Sequence, residues 1–479
     1  MSRATRLVLV STLGVLARVA DASPRSDPTM GRSVFTGATM PHATSIDLNP
    51  AAIGLGEQNE IYAAAMLVLD QYSITPRSLD IDTGALTDEE HVGEALVSPG
   101  GMLAIVYHTG EDGKITIGGQ FRTAPSERFI DDPAFQYHVR GGSYRTYALT
   151  AAASFRPTRR LYIGVSLDAQ KSSMTMAWAR DSALAAGRDP TRGIASDCGG
   201  TPCGVANPDA TEQYSIDVSS DLFSAANVVA ANVGLVFGLA RDTWLGVAYH
   251  SPPGLALQNQ LVGDMEVVRA PRDGGGALSG GTTVYIQNPA SFDGELRTRL
   301  PLDFDLHFGF RWEQLSRLST YDVRSYGSAF PAANIPEWQP RTVGYHSTYA
   351  LWSGVEQIET GQPVRFGGRV GFERSALDDS RTSALAIAPT SLTLDGGVQV
   401  RLGLDWTVQL TYGFQYFPNV NVTDSAFDPR DQLGCEDAGF DYNNTSCEAV
   451  RLGYAIPTAA GEYGRFEHAA RFAIRYHGL

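Results

Sequence analysis

Four cysteines, nine histidines and a scatter of loop carboxylates are the residues of this chain best equipped for chemistry. The cysteines fall in two close pairs, Cys198/Cys203 and Cys435/Cys447, both in polar loop sequence. A thiolate metal site would use Cys-x-x-Cys spacing with a histidine nearby, and the chain has neither. In an exported protein two local disulfides are the simplest of the three pairings that four cysteines allow. No two histidines stand at metal-ligand spacing on one face. His307 and His477 alternate onto the wet side of extended segments, where a solvated histidine is expected more often than a catalyst. Asp131-Asp132 and the group Asp424, Asp428, Asp431, Glu436 and Asp437 do not follow EF-hand spacing, so solvated loop acids are expected and no metal ligand is assigned. Neither G-x-S-x-G, G-x-x-x-x-G-K-[ST] nor H-E-x-x-H occurs. The motifs therefore point away from an enzyme and require no cofactor. A barrel hydrolase, a phospholipase or protease whose Ser/His or Asp/His pair comes from different strands, stays open as an alternative.

The elements that would position such residues are strands. From Leu404 to Tyr416 every even position is apolar or aromatic, and from Asp405 to Gln415 every odd position is polar or glycine. Period two over that length is an extended strand with one greasy and one wet face. Soluble strands run to about five or six residues, whereas a membrane-spanning strand needs about nine to eleven. The same alternation recurs at 146–155, 161–170, 304–312, 364–373, 392–402 and 465–477. Weaker candidates lie near 61–72, 102–108, 114–122, 229–239, 243–250, 261–269, 282–288 and 317–325. The count is about fourteen. Charged residues within the wet faces suit a hydrated lumen better than a sandwich core.

Connections alternate between tight turns, as at 156–160 and 401–405, and long insertions at about 180–212, 270–280, 327–352 and 419–462. Membrane barrels keep their short turns in the periplasm and their long loops outside, which places both cysteine pairs outside. The strand 404–416 is then the penultimate one, pairing with 392–402 and 465–477. The expected fold class is all-β, a transmembrane antiparallel β-barrel of about 14 strands.

The N-terminus reads as an export signal over residues 1–22: Arg3 and Arg6, an apolar core from Leu7 to Ala17, then Ala20-Asp21-Ala22. Removing it takes away Arg3, Arg6, Arg18 and Asp21, moving the net charge from −15 to −17. So acidic a chain is a poor partner for nucleic acid. No apolar run after the signal is long enough for a membrane helix.

Residues 23–58 are not strand-like. Small residues dominate, with isolated hydrophobes, and Asn49-Pro50 marks a turn because proline pushes the preceding residue out of the helical region. About fourteen strands enclose more space than their own side chains can fill, since eight just fill and sixteen leave a channel. This segment is therefore expected as a plug, with Phe35, Leu48, Ile53 and Leu55 facing the interior or a pocket and the Asn49 amide fixing the turn. The wall is then 59–479.

Four stretches resemble the FadL-type family of outer-membrane transporters for long-chain fatty acids and other hydrophobic compounds. They are G-A-T-M-P-H-A-T-S-I-D-L-N-P-A-A-I-G-L at 37–55, W-L-G-V-A-Y-H-S-P-P at 244–253, L-P-L-D-F-D-L-H-F-G-F-R-W at 300–312 and G-E-Y-G-R-F-E-H-A-A-R-F-A-I-R-Y at 461–476. The Asn49-Pro50-Ala51 element is the most specific. The resemblance implies a fourteen-stranded barrel in the outer membrane, an N-terminal hatch and no cofactor. It also implies an apolar pocket for a hydrophobic small molecule, with sideways release into outer-membrane lipid. A monomer is expected, and a porin or surface-binding barrel is the remaining alternative.

Overall fold

A computed structural model describes residues 34–80, 85–109, 114–136, 138–181, 211–220, 229–254, 259–333, 335–358, 362–426 and 455–478. The described residues form a closed antiparallel barrel of 14 strands. In chain order the wall is Glu60–Asp80, Val92–Thr109, Ile115–Thr123, Gly142–Thr158, Leu161–Asp181, Val229–Ala240 and Thr243–His250. It continues with Ser291–Leu300, Phe304–Glu313, Thr348–Gln357, Val364–Glu373, Ser391–Leu402, Trp406–Val422 and Ala455–His477. The last strand returns to the first, from Glu60 opposite His477 upward, and closes the ring.

Alternation fixes what each strand presents. In Trp406–Val422 the side chains of Leu410, Tyr412 and Tyr416 face out, while Thr407, Gln409, Thr411 and Gln415 are buried in the lumen. Around the wall Leu67, Leu103, Phe121, Val165, Leu235 and Phe472 continue the exposed apolar band that a bilayer would cover. No described helix is long and apolar enough to cross a membrane.

Toward its upper end Leu161–Asp181 stays paired with Gly142–Thr158 as far as Met176 but exchanges Val229–Ala240 for Thr211–Ser219 on its other side. The same sheet branches on through Asn259–Val268, Ala277–Ile286, Thr320–Tyr326 and Trp338–Thr342. Its inner face, with Met176, Ile216, Met265, Val284 and Val323, joins Phe135, Leu318 and Ile387 from crossing loops in one apolar core over the mouth.

Several sequence boundaries change. The strand predicted to begin at Leu404 begins at Trp406, because Gly403 takes φ 74° and Leu404, 80% exposed, lies in the turn. The predicted insertion 327–352 holds the crown strand Trp338–Thr342 and the start of the wall strand Thr348–Gln357. The insertion 419–462 is shortened from both ends, by Val422 and Ala455. The candidates near 261–269, 282–288 and 317–325 belong to the crown and not to the wall. The strands adjoining 182–210 and 427–454 end opposite the tight turns at 159–160, 241–242 and 403–405. Cys198, Cys203, Cys435 and Cys447, and the predicted signal segment, lie outside the described residues.

Candidate functional site

Residues 34–56 lie inside the lower barrel. They form a four-residue helical turn, Ser45–Leu48, and a short 3-10 turn, Ala52–Leu55. Elements this short cannot stand alone; the wall and local hydrogen bonds hold them. The Ser45 hydroxyl donates to the carbonyls of Gly37 (3.0 Å) and Met40 (2.7 Å), and the Asn49 backbone N–H donates to the Ser45 carbonyl at 2.7 Å. Asn49 is extended, at φ −160°, as the following Pro50 demands. Its amide nitrogen donates to the carbonyls of Ala38 (2.9 Å) and of Leu235 in the wall (3.0 Å), and its oxygen accepts from the Ala51 N–H at 3.1 Å.

Three lumen carboxylates hold the segment's backbone. Glu356 accepts from the Phe35 N–H at 2.6 Å, Glu295 from the Thr39 N–H at 3.1 Å and from the Thr39 hydroxyl, and Glu60 from the Ala43 N–H at 3.2 Å. The carboxylates are themselves paired. His307 lies 3.6 Å from Glu295 and 3.7 Å from Glu356, and Arg475 lies 3.0 Å from Glu60. His307, expected to be solvated, is buried, because the segment occupies the volume that water would have taken. Burial, helped by the Arg475 charge, depresses the His42 pKa to about 4 beside Glu60. Burial also raises that of Asp47, which pairs with Arg122 at 3.1 Å.

The predicted site residues lie here as follows. Phe35 is buried with its backbone in the left-handed region, φ 69°, beside the glycines 367 and 397. Ile53 packs with Ile46, Tyr62, Met66 and Met102. Leu55 flanks Ala51, Ala52, Tyr162 and Val236, and Leu48 is buried. Pro50 and Ala51 lie against Gly164 and Gly234, where a Cβ would come within 2.1 Å of the Ala51 nitrogen and 1.9 Å of the Asn49 side-chain oxygen. Sequence reasoning missed these lumen glycines, although Gly164 and Gly234 fall on the wet faces of alternating strands.

A single strand shows the layering. Along Leu161–Asp181, Gly164 meets the segment, Asp168 joins a polar belt, and Met174 and Met176 enter the crown core. In that belt Asn232 donates to Ser166 (2.8 Å) and Asp168 (3.0 Å), while Asp293 pairs with His250 at 3.0 Å and Arg311 at 3.4 Å. Charge expected to sit in a water-filled lumen is packed instead, with Arg475 only 1% exposed.

Among the described residues, the ladder of the wall lapses beside the segment. Val92–Thr109 pairs with Glu60–Asp80 along most of its length, but with Ile115–Thr123 only from Gly101 downward. Above that, Ser98-Pro99-Gly100 faces chain that turns away at Ala124 and Pro125, held by the Ser98 hydroxyl donating to the Ser126 carbonyl at 2.7 Å. Proline has no N–H for a ladder, which suits it to such an edge. Met66 and Met102 line the lumen next to this lapse.

No family model and no curated protein matches the chain. Solved structures do. A Pseudomonas aeruginosa FadL homologue superposes with a TM-score of 0.71 at 15% identity, over 96% of this chain and 99% of that one. The Pseudomonas putida toluene transporter TodX gives 0.60 at 11%, over 96% and 98%. The Ralstonia pickettii toluene transporter TbuX gives 0.56 at 14%, over 95% and 99%. At these identities the likeness is one of fold, and it runs the whole length of the barrel.

Proposed function

We propose that this barrel passes hydrophobic small molecules through the outer membrane, with residues 34–56 as a hatch and the wall lapse at 98–100 as the side exit. The observation that carries the reading is the lapse itself, where the ladder between Val92–Thr109 and Ile115–Thr123 stops beside the apolar Met66/Met102 patch. The likeness to structures named as a FadL homologue and as toluene transporters supports the same reading.

The layering favours the side exit over a straight path. A hydrocarbon moving down the axis from the crown would have to displace the Asp168–Asn232 and Asp293–Arg311 contacts, then the hatch anchored on Glu60, Glu295 and Glu356. Opening buried ion pairs costs several kcal/mol each. Leaving through a lapse in the ladder breaks side-chain contacts alone.

Deleting residues 23–56 tests the hatch. Conductance for small ions should rise in planar bilayers, and energy-independent uptake of long-chain or aromatic compounds should fall. Unchanged permeability to both would overturn the reading.

A further inference from the structure

We infer that the outer face of the wall carries a binding site for a phosphate-bearing lipid headgroup, built by Arg145 and Lys171 and extended by Arg128. The inference is independent of what passes through the lumen and requires only that the apolar band face the bilayer.

Strand parity puts these cations on one surface. Along Gly142–Thr158 the odd positions Leu149 and Phe155 face out, and Arg145 and Tyr147 continue that face upward. Along Leu161–Asp181 Val165 and Leu167 face out, and exposed Lys171 continues that face. Register makes the cations neighbours. Tyr147 lies opposite Lys171 and Arg145 opposite Ser173, so Arg145 and Lys171 are diagonal across two adjacent strands. Arg128 pairs with Ser143 and is diagonal to Arg145 on the other side. Diagonal neighbours stand about 7–8 Å apart, a gap that two long side chains can close on one phosphate.

Arg145 is set for an anion. Its guanidinium donates to the Tyr147 hydroxyl at 3.3 Å and to the Ser126 hydroxyl at 3.2 Å, both neutral. Among the described residues no carboxylate pairs with Arg145 or with Lys171. Arg77, by contrast, has Asp88 at 2.6 Å. A guanidinium fork fits a phosphate with two parallel hydrogen bonds, and an ammonium adds a point charge beside it. Arg128 also faces Glu94, so it extends the site and does not make it.

The height suits a lipid. Val165 lies midway on the apolar band, and Lys171 is six residues farther along the strand. At about 3.3 Å per residue and a tilt of about 40°, that is about 15 Å above mid-depth. A band about 25 Å tall ends about 12 Å above its middle, so the cations begin where hydrocarbon ends. Below them Leu149 and Leu167, 61% and 59% exposed, and Phe121 offer apolar surface for acyl chains. A free anion would use the cations alone, whereas cations above and apolar wall below match an amphiphile. The site lies away from the tight turn at 159–160, on the side of the long insertions, which is the outer leaflet. Ser126, which holds Arg145, has its carbonyl held by Ser98, so the headgroup stands beside the wall lapse.

The test titrates delipidated full-length protein in dodecyl maltoside micelles with diphosphoryl lipid A or with phosphatidylcholine and counts bound lipid by native mass spectrometry. Wild-type protein should hold lipid A about tenfold or more tighter, the factor expected for one charge-assisted hydrogen bond. Arg145→Gln/Lys171→Gln should bring that preference close to one while phosphatidylcholine still binds, and Arg145→Lys should keep part of it. Arg159→Gln/Arg160→Gln, at the tight turn joining the same two strands, should leave it unchanged. A wild-type preference near one, a preference retained without Arg145 and Lys171, or an equal loss without Arg159 and Arg160 would overturn the inference and leave the transport reading standing. Displacement of lipid A by inorganic phosphate at matched ionic strength would overturn the lipid assignment in favour of a free anion. If Arg145→Gln/Lys171→Gln does not assemble, Arg145→Lys and the phosphate competition decide.

Discussion

Asn49 uses its whole amide at once, two donations outward and one acceptance from Ala51, and one of the donations crosses to the wall. Asn49→Ala removes all three bonds without adding bulk. The docked segment should lose about 1–3 kcal/mol, read as more frequent ion-conducting openings of single barrels in a planar bilayer. Asn49→Asp keeps the acceptor and loses both donations, so its openings should be as frequent or more. His42 offers a second handle. Its folded pKa of about 4 lies below the ordinary 6.5, so the docked segment holds the neutral ring. Releasing the segment lets the imidazole take a proton. Docking is therefore at full strength above pH 6.5, weakens as pH falls toward 4 and levels off below that. Glu60, Arg475 and Arg365 are the charged groups that face the ring. Ion leak should rise between pH 7 and pH 4.5, and His42→Gln should blunt that component. Asn49 was legible in the sequence because proline follows it and small residues surround it. The carboxylates that hold the backbone were not, since an acid on a wet strand face looks the same whether water or an amide meets it.

At the scale of elements, the strand 406–422 sits where its alternation put it, next to last and between Ser391–Leu402 and Ala455–His477. Ser291–Leu300 and Thr348–Gln357 escaped the same reading for a physical reason. Ser291–Leu300 presents Asp293, Glu295 and Arg297 to the lumen and breaks its outer face with Gly294 and Thr298, so its apolar period is faint. The crown strands took their place in the count because Met265 and Val284 alternate just as wall residues do, toward a core and not a bilayer. Periodicity reports a buried face and is blind to what buries it. The strand Val92–Thr109 carries the prediction at this scale. Gly100 faces the lumen at the lapse, and an added Cβ would meet the Thr123 carbonyl at 3.0 Å and Pro125 at 3.2 Å. Its φ is not positive, so a larger residue suffers crowding and no backbone strain there. Gly100→Val should narrow the lapse and cut uptake of hydrophobic compounds about tenfold or more, the effect of about 1.4 kcal/mol on a barrier. Ion leak should not change, because the anchoring contacts of residues 34–56 lie elsewhere. Uptake equal to wild type would remove the lapse as the exit.

For the whole molecule, the division of solvents decides where charge is tolerated. The lumen accepts buried Arg475, Arg311 and Arg122 because carboxylates of residues 34–56 or of the wall stand beside each. The apolar band of the outer face is bounded along Leu161–Asp181 by the turn residues Arg159 and Arg160 below and by exposed Lys171 above. Val165 lies midway on that face and is 51% exposed. In water its replacement by arginine would be a surface change of little consequence. In a bilayer the same side chain meets hydrocarbon at mid-depth, and Val165→Arg should cost about 2–4 kcal/mol, while a charge near either interface costs about 0–1. Leu404, 80% exposed in a tight turn, supplies the control, since Leu404→Arg there should be nearly neutral. Urea unfolding of the protein folded into liposomes measures the difference directly. Equal stability for the two variants would mean that the band does not face lipid, and the barrel would then have to be read as a soluble container whose lapse opens to water.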